Sequence, residues 1–196
     1  MNKPDYNLIM MQELSNTNAK VLMHCCCGPC ATSVTERVKP LCSLTLFWYN
    51  PNVMGGDEEE KRKQNLNTVA SFFDVEVIDG GYDNDVFIQK VKGLEKEKEG
   101  GKRCDVCFYI RLYETAKKAK ELGYDYFCST LSVSPHKNAT LINKIGEAIA
   151  SKVGVKWLYN DFKKKNGFKR SVEISEELGL YRQNYCGCAY GRQTEN

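Results

Sequence analysis

Five short apolar runs, Lys20–His24, Ser43–Tyr49, Asp74–Ile78, Tyr126–Thr130 and Val155–Tyr159, alternate with segments whose apolar residues recur at helical spacing. This alternation limits the fold sharply, because strands separated by helices join through right-handed crossovers into a parallel sheet covered by helices. The helix candidates are Tyr6–Leu14, Cys30–Val38, Asp57–Phe72, Cys107–Leu122, Asn138–Val153 and Lys169–Leu178, the last stopped by Gly179. The pattern predicts an α/β chain with a doubly wound, mostly parallel sheet. Its 196 residues fit one domain, with residues 20–196 as the α/β unit and residues 1–19 as a helical extension. The charged stretch Glu95–Lys102, closed by Gly100-Gly101, reads as a mobile surface loop.

Open α/β sheets bind ligands beyond the carboxyl ends of their strands, and the unusual residues of this chain gather there. The first strand runs into His24-Cys25-Cys26-Cys27-Gly28-Pro29-Cys30 and the second into Tyr49-Asn50-Pro51-Asn52. The fourth runs into Ser129–Asn138, which holds Ser134 and His136, and the fifth into Asn160–Lys165. Both histidines of the chain, His24 and His136, lie in this set. Each reads either as a hydrogen-bonded packing residue or as a proton donor or ligand. Asn50 and Asn52 either set a turn or hydrogen-bond a polar ligand.

The chain has ten cysteines. Met1–Asp5 is not followed by an apolar core and a small-residue cleavage site, so a cytoplasmic protein is expected. Thiols in a reducing compartment point to metal ligation or redox chemistry rather than a disulfide scaffold. No stretch approaches the ~18 apolar residues of a membrane-spanning helix, and 42% hydrophobic residues exclude a disordered chain.

Cys104-Asp105-Val106-Cys107 is a CxxC pair at a helix start, where amide groups favour thiolate over thiol. The adjacent Cys26 and Cys27 offer a second pair, and four thiolates suit a tetrahedral zinc or an iron–sulfur cluster. Cys30 opens a helix three residues after Cys27 and could ligate a second metal, a mononuclear iron. Cys186-Gly187-Cys188 can close only a strained, labile disulfide; otherwise its thiols are free or extra ligands. Cys25, Cys42 and Cys128 sit in or beside strands and read as small buried hydrophobes.

The formal charge of +3 is too small to diagnose a nucleic acid partner, but it is unevenly spread. Residues 152–196 carry nine Lys/Arg against five Asp/Glu, with Lys163, Lys164, Lys165, Lys169, Arg170, Arg182 and Arg192 near the last thiol pair. Such a run is a solvated face or a surface for a phosphate backbone. Tyr181, Tyr185 and Tyr190 could pack in the core or offer stacking faces to a base.

Taken in order, these motifs resemble the cobalamin-independent epoxyqueuosine reductases. The likeness rests on the His24–Cys30 loop, Tyr49–Asn52, Cys104–Cys107 with Arg111, and Ser129–Asn138. Asp161-Phe162-Lys163-Lys164 with Gly167, Ser171, and Tyr181–Cys188 complete it, over roughly residues 20–192. The resemblance implies reduction of the epoxide of epoxyqueuosine at the wobble position of a tRNA, with an electron donor it does not name. It also implies a [4Fe-4S] cluster on Cys26, Cys27, Cys104 and Cys107, a redox-active disulfide between Cys186 and Cys188, and a sheet like that of the HUP and PP-loop proteins, a three-layer sandwich. The Ser-Gly-Gly-x-Asp-Ser loop of PP-loop enzymes is absent, so ATP use is not expected. His24 and Asp105 are the candidate proton relays. Two rival readings are an iron–sulfur tRNA thiolase and a zinc-stabilised RNA-binding module.

Overall fold

In the computed structural model, which describes residues 4–183 and 185–191, five parallel strands form one sheet in the order β3-β2-β1-β4-β5. They are β1 (Lys20–Cys25), β2 (Ser43–Trp48), β3 (Glu76–Asp79), β4 (Tyr126–Ser129) and β5 (Lys156–Trp157). The helices are α1 (Tyr6–Leu14), α2 (Gly28–Val38), α3 (Asp57–Phe73), α4 (Asn84–Lys90), α5 (Lys102–Glu121), α6 (Ala139–Val153) and α7 (Gly167–Glu177). α2 packs with α3 and α7, while α5 and α6 pack together beside β1, β4 and β5, which gives a three-layer α/β sandwich. No helix among the described residues is long and apolar enough to cross a membrane.

β1 is central: Val21 pairs with Leu44 on one side and Tyr126 on the other, and residues 21–25 are all buried. A strand buried on both faces needs a continuous apolar run rather than an alternating one, which is what Val21-Leu22-Met23 supplies. The chain leaves β1 for β2 on one side and β4 lies on the other, so the switch point of the sheet is at the carboxyl end of β1. A crevice opens there in doubly wound sheets.

β5 is shorter than its apolar run, Val155–Tyr159, because a buried amide network takes over the backbone after Trp157. Asn143 Nδ2 donates to the Asn160 carbonyl at 2.9 Å, and the Trp157 indole donates to Asn143 Oδ1 at 2.8 Å. α5 begins at Lys102, earlier than its apolar periodicity shows, so Cys104 and Cys107 lie within the helix one turn apart. α4 has no counterpart in the sequence reading; its seven residues bury only Phe87. The extension joins the same body, since Met10 and Leu14 of α1 are in the core and Asn7 Nδ2 donates to the Asp161 carbonyl at 3.0 Å.

The stretch Glu95–Lys102 is largely exposed, as a surface loop, but is pinned at its base. Arg103, 1% exposed, donates from Nη1 to the carbonyls of Leu94 (3.2 Å), Glu95 (2.9 Å) and Glu97. Its guanidinium also lies 5.3 Å from the Tyr190 ring centre. One buried cation thus closes the loop, and Glu99 and Gly100 become walls of the site described next.

Candidate metal and thiol centre

The β1–α2 turn carries the first thiols. Cys25 still belongs to the strand, is fully buried, and donates to the Met23 carbonyl at 3.4 Å, so it is a core residue. The chain then turns, Cys27 caps α2 in an extended conformation, and Cys30 falls in the first turn. The sulfurs of Cys26, Cys27 and Cys30 lie within 4.8 Å of one another, with Cys26 and Cys27 at 3.9 Å. Hydrogen bonds from Cys27 and Cys30 hold the Cys26 thiol well below its ordinary range. The same bond pushes Cys27 up to about 12. Metal ligation requires thiolates, and a group in which one thiol already favours that form suits it.

Cys104 and Cys107 lie one turn apart at the start of α5. Cys104 accepts the Gly100 amide at 3.2 Å, and burial raises both thiols, Cys107 to about 11. They line a small cavity, about 30 Å³, together with Cys186 and Cys188. Cys186 also lines a larger cavity, about 740 Å³, together with Cys30. A hydrogen bond from Cys188 lowers the Cys186 thiol well below its ordinary range and raises Cys188. The first turn of α2 (Cys30), the start of α5 and the C-terminal segment therefore bring thiols to adjoining cavities at the carboxyl rim of the sheet, while Cys26 and Cys27, grouped with Cys30, line neither.

Two cations balance this sulfur. Arg111, 3% exposed, lines the small cavity, donates from Nε to the Cys107 carbonyl at 3.2 Å, and has no carboxylate partner among the described residues. Burial disfavours its charge, but Cys107, Cys26 and Cys186 raise its pKa. Lys137 lines both cavities; burial opposes its charge too, and Cys26, Cys30 and Cys186 outweigh it. Soft thiolates with uncommitted cations fit an iron–sulfur cluster or zinc. Among the described residues Cys26, Cys27 and Cys30 are the single group of three such donors. Cys30 therefore stands with the first thiols, and no separate ligand set for a second iron accompanies it.

The remaining candidates separate clearly. His24 is fully buried; its Nε2 lies 3.2 Å from the Tyr49 carbonyl and its Nδ1 2.9 Å from Ser129 Oγ. Burial, then the nearby Arg111, lowers its pKa to about 3. The neutral ring donates to Tyr49 and accepts from Ser129, tying β1 to its neighbours, and it lines neither cavity. Asp105 sits in the first turn of α5 and lines neither cavity. Asn50 donates to the Cys25 carbonyl at 2.8 Å, which shapes the turn, and neither it nor Asn52 lines either cavity. Ser134 and His136 do line the larger one.

Of the basic residues, Arg182 lines the larger cavity and lies 5.9 Å from the Phe168 ring centre. Lys163 pairs with Asp161 at 3.1 Å, while Lys164 and Lys165 are exposed. Lys169 is 77% exposed and lies 3.9 Å from Glu173. Arg170 is surrounded by Glu36 (2.8 Å), Glu173 (3.3 Å) and Glu177 (3.4 Å). Its charge is thus already matched within the protein. Arg192, and Asn184 of the Tyr181–Cys188 motif, lie outside the described residues.

Two site residues escaped the sequence reading. Glu99, inside a run of lysines and glutamates, is the one carboxylate lining either cavity. Burial, then Cys186, raises its pKa. Arg62, on the charged α3, reaches the backbone of Tyr185 and Cys186. Neither carries a local signal that distinguishes it from its solvated neighbours.

Known proteins resemble this chain over almost its whole length. The family model described as epoxyqueuosine reductase QueH matches residues 21–194. The epoxyqueuosine reductase QueH of Streptococcus pyogenes serotype M1 is 40% identical over 204 aligned positions, covering 98% of this chain and 80% of its own. That of Thermotoga maritima is 38% identical over 173, covering 87% and 88%. Among solved structures, the U34-tRNA thiolase NcsA of Methanococcus maripaludis, determined with its [4Fe-4S] cluster, superposes with a TM-score of 0.59 at 14% identity. The match covers 95% of this chain and 65% of that one, and shows a shared fold. With the thiols gathered at the rim and a family match running almost end to end, the chain belongs to the epoxyqueuosine reductase QueH family.

Proposed function

We propose that the chain reduces epoxyqueuosine to queuosine at the wobble position of tRNA, as an oxidoreductase using a [4Fe-4S] cluster and the Cys186/Cys188 pair. The observation that carries this reading is the convergence of thiols from the first turn of α2, the start of α5 and the C-terminal segment on adjoining cavities, in a chain of this family. Cys26, Cys27, Cys104 and Cys107 would hold the cluster, which supplies single electrons at a tunable potential. Independence from cobalamin and a cytoplasmic location belong to the same reading.

The chain's own groups account for the remaining chemistry. Converting an epoxide to an alkene consumes two electrons and two protons and releases the oxygen as water. Closing the Cys186/Cys188 dithiol to its disulfide yields two electrons and two protons, so one turnover balances, and an external reductant then restores the dithiol. Glu99, beside Cys186 in both cavities, protonates the departing oxygen and is reprotonated from the thiols. Burial and the neighbouring Cys186 raise its pKa, which shifts it toward the protonated form a general acid needs. Arg182 over Phe168 offers a guanidinium–ring platform for a base. Lys163, Lys164, Lys165 and Lys169 meet the tRNA backbone, with Arg182 at the cavity edge. Arg170 contributes through Glu36 and α7 rather than through phosphate.

Protein purified without oxygen should be brown, contain iron and sulfide, and convert epoxyqueuosine in tRNA to queuosine without ATP, as read by nucleoside mass spectrometry. Colourless protein holding one zinc ion would overturn the reading in favour of a structural metal site. AMP release would point instead to thiolation.

A further inference from the structure

One stripe of α3 stands between the two thiol sets. Glu58, Arg62 and Asn65 lie at i, i+4 and i+7, a single helical face, and each of them takes hold of the segment that carries Cys186 and Cys188. Arg62, 3% exposed, donates from Nε to Glu58 Oε1 at 2.6 Å, from Nη1 to the Cys186 carbonyl at 3.1 Å and from Nη2 to the Tyr185 carbonyl at 3.4 Å. Its guanidinium lies 5.5 Å from the Tyr185 ring centre. Tyr181 donates its amide to Asn65 Oδ1 at 2.9 Å and its hydroxyl to Glu58 Oε2 at 3.2 Å. At Gly187 the backbone has φ +88°, and an added Cβ would fall 2.7 Å from the Arg62 guanidinium.

The same turn of α3 meets the other thiols. Gly28, directly after Cys27, approaches the helix so closely that a Cβ there would lie 2.6 Å from the Asn65 carbonyl carbon. α3 is therefore wedged between the turn that holds Cys26 and Cys27 and the segment that holds Cys186 and Cys188.

We propose that Arg62 is a positioning residue for the Cys186/Cys188 pair, fixing its backbone against α3 and hence against the thiols of the β1–α2 turn. The role calls for arginine. Two consecutive carbonyls and a carboxylate are bonded by three nitrogens of one planar group, which a lysine ammonium on a flexible stem cannot reproduce. Holding two thiols in a fixed relation raises their effective concentration toward each other, so releasing the segment shifts their equilibrium toward the dithiol.

The catalytic consequence rests on the function proposed above, but the thiol equilibrium does not. The test takes the anaerobically purified protein and its Arg62→Lys variant, equilibrates both in dithiothreitol buffers, and measures oxidation of Cys186 and Cys188 by differential alkylation and mass spectrometry. Arg62→Lys should shift the equilibrium about tenfold toward the dithiol, roughly 30 mV for a two-electron couple. It should lower kcat about tenfold with KM within twofold. Glu58→Gln, which loosens Arg62 without removing it, should shift both in the same direction by less, and serves if Arg62→Lys does not fold. Gln64→Ala, on the exposed face of α3, should change neither. An equilibrium unchanged in both Arg62→Lys and Glu58→Gln would overturn the proposal, whatever happens to the melting temperature. If wild-type protein fails to reduce epoxyqueuosine but the equilibrium shifts, the proposed function falls and the positioning role stands.

Discussion

Cys30, grouped with Cys26 and Cys27, lines the same cavity as Cys186, yet the thiols after β1 and those of the C-terminal segment are held in opposite ways. Cys26 and Cys27 are placed by backbone geometry: a central strand ends, a helix begins, and the turn between them is buried. Cys186 and Cys188 lie outside any helix or strand and are secured by Arg62, which bonds the Tyr185 and Cys186 carbonyls, and by the Met54 amide, which donates to the Gly187 carbonyl at 3.0 Å. A set built into regular structure is suited to a permanent ligand, because moving it would disrupt the sheet. A pair held by a few replaceable hydrogen bonds is suited to a cycle in which a bond forms and breaks. Low local stability is drawn upon wherever a protein segment must change during function.

The largest effect should come from testing that division directly. Cys27→Ser should remove most of the bound iron and lower turnover by more than about 100-fold, exceeding the range for losing an outer-shell partner. Cys188→Ser should abolish multiple turnover while leaving iron content unchanged. Equal iron loss in both variants, measured by metal analysis, would erase the distinction between the two sets.

Glu99→Gln preserves shape and removes the proton. It should lower kcat about 100-fold, at the low end for general acid catalysis, with KM little altered and iron intact. A wild-type kcat would remove Glu99 from the chemistry.

His24 secures the built-in set, and its effect should appear as pH-dependent stability. Its folded pKa, about 3, lies below the ordinary value of 6.5, so between these values only the unfolded chain binds the proton. This contribution is fully present above pH 6.5 and declines as pH falls toward 3, by about 1.4 kcal/mol per pH unit. In denaturant titrations, His24→Gln should flatten the slope between pH 6.5 and 5; an unchanged slope would count against the neutral, buried assignment.

The smallest effects concern the surface. Lys164→Ala and Lys165→Ala should each reduce the salt dependence of tRNA affinity by about one unit of log–log slope. Arg170→Ala should leave it unchanged, because Glu36, Glu173 and Glu177 already match its charge. A slope altered equally by all three would mean that Arg170 turns outward when tRNA binds.

Much of this was legible in the sequence where local pattern and tertiary structure agree. The apolar run of β1 and the helical spacing of Asp57–Phe72 each announce their element, and Cys30, Cys104, Cys107, Cys186 and Cys188 line the cavities there. Legibility failed where the decisive partner is distant. Arg62 looks like a surface charge until the fold brings the Tyr185 and Cys186 carbonyls to it, and Arg103 does too, although its carbonyls lie only six to nine residues away, in a stretch with no regular periodicity. His24 carries no sign in the sequence that Tyr49 and Ser129 will bond both of its nitrogens. Glu99 looks like one solvated charge among many, because nothing nearby in the chain shows that Cys186 will lie beside it.

The clasp of Leu94, Glu95 and Glu97 on Arg103 ties one wall of the cavities to a single buried cation rather than to the sheet. Lys96 and Lys98, both exposed, could be exchanged without disturbing a single strand, provided the three oxygens still reach the guanidinium and Glu99 and Gly100 keep their places. Redesign of what the cavity admits can therefore begin at that wall, far from the sheet's hydrophobic interior.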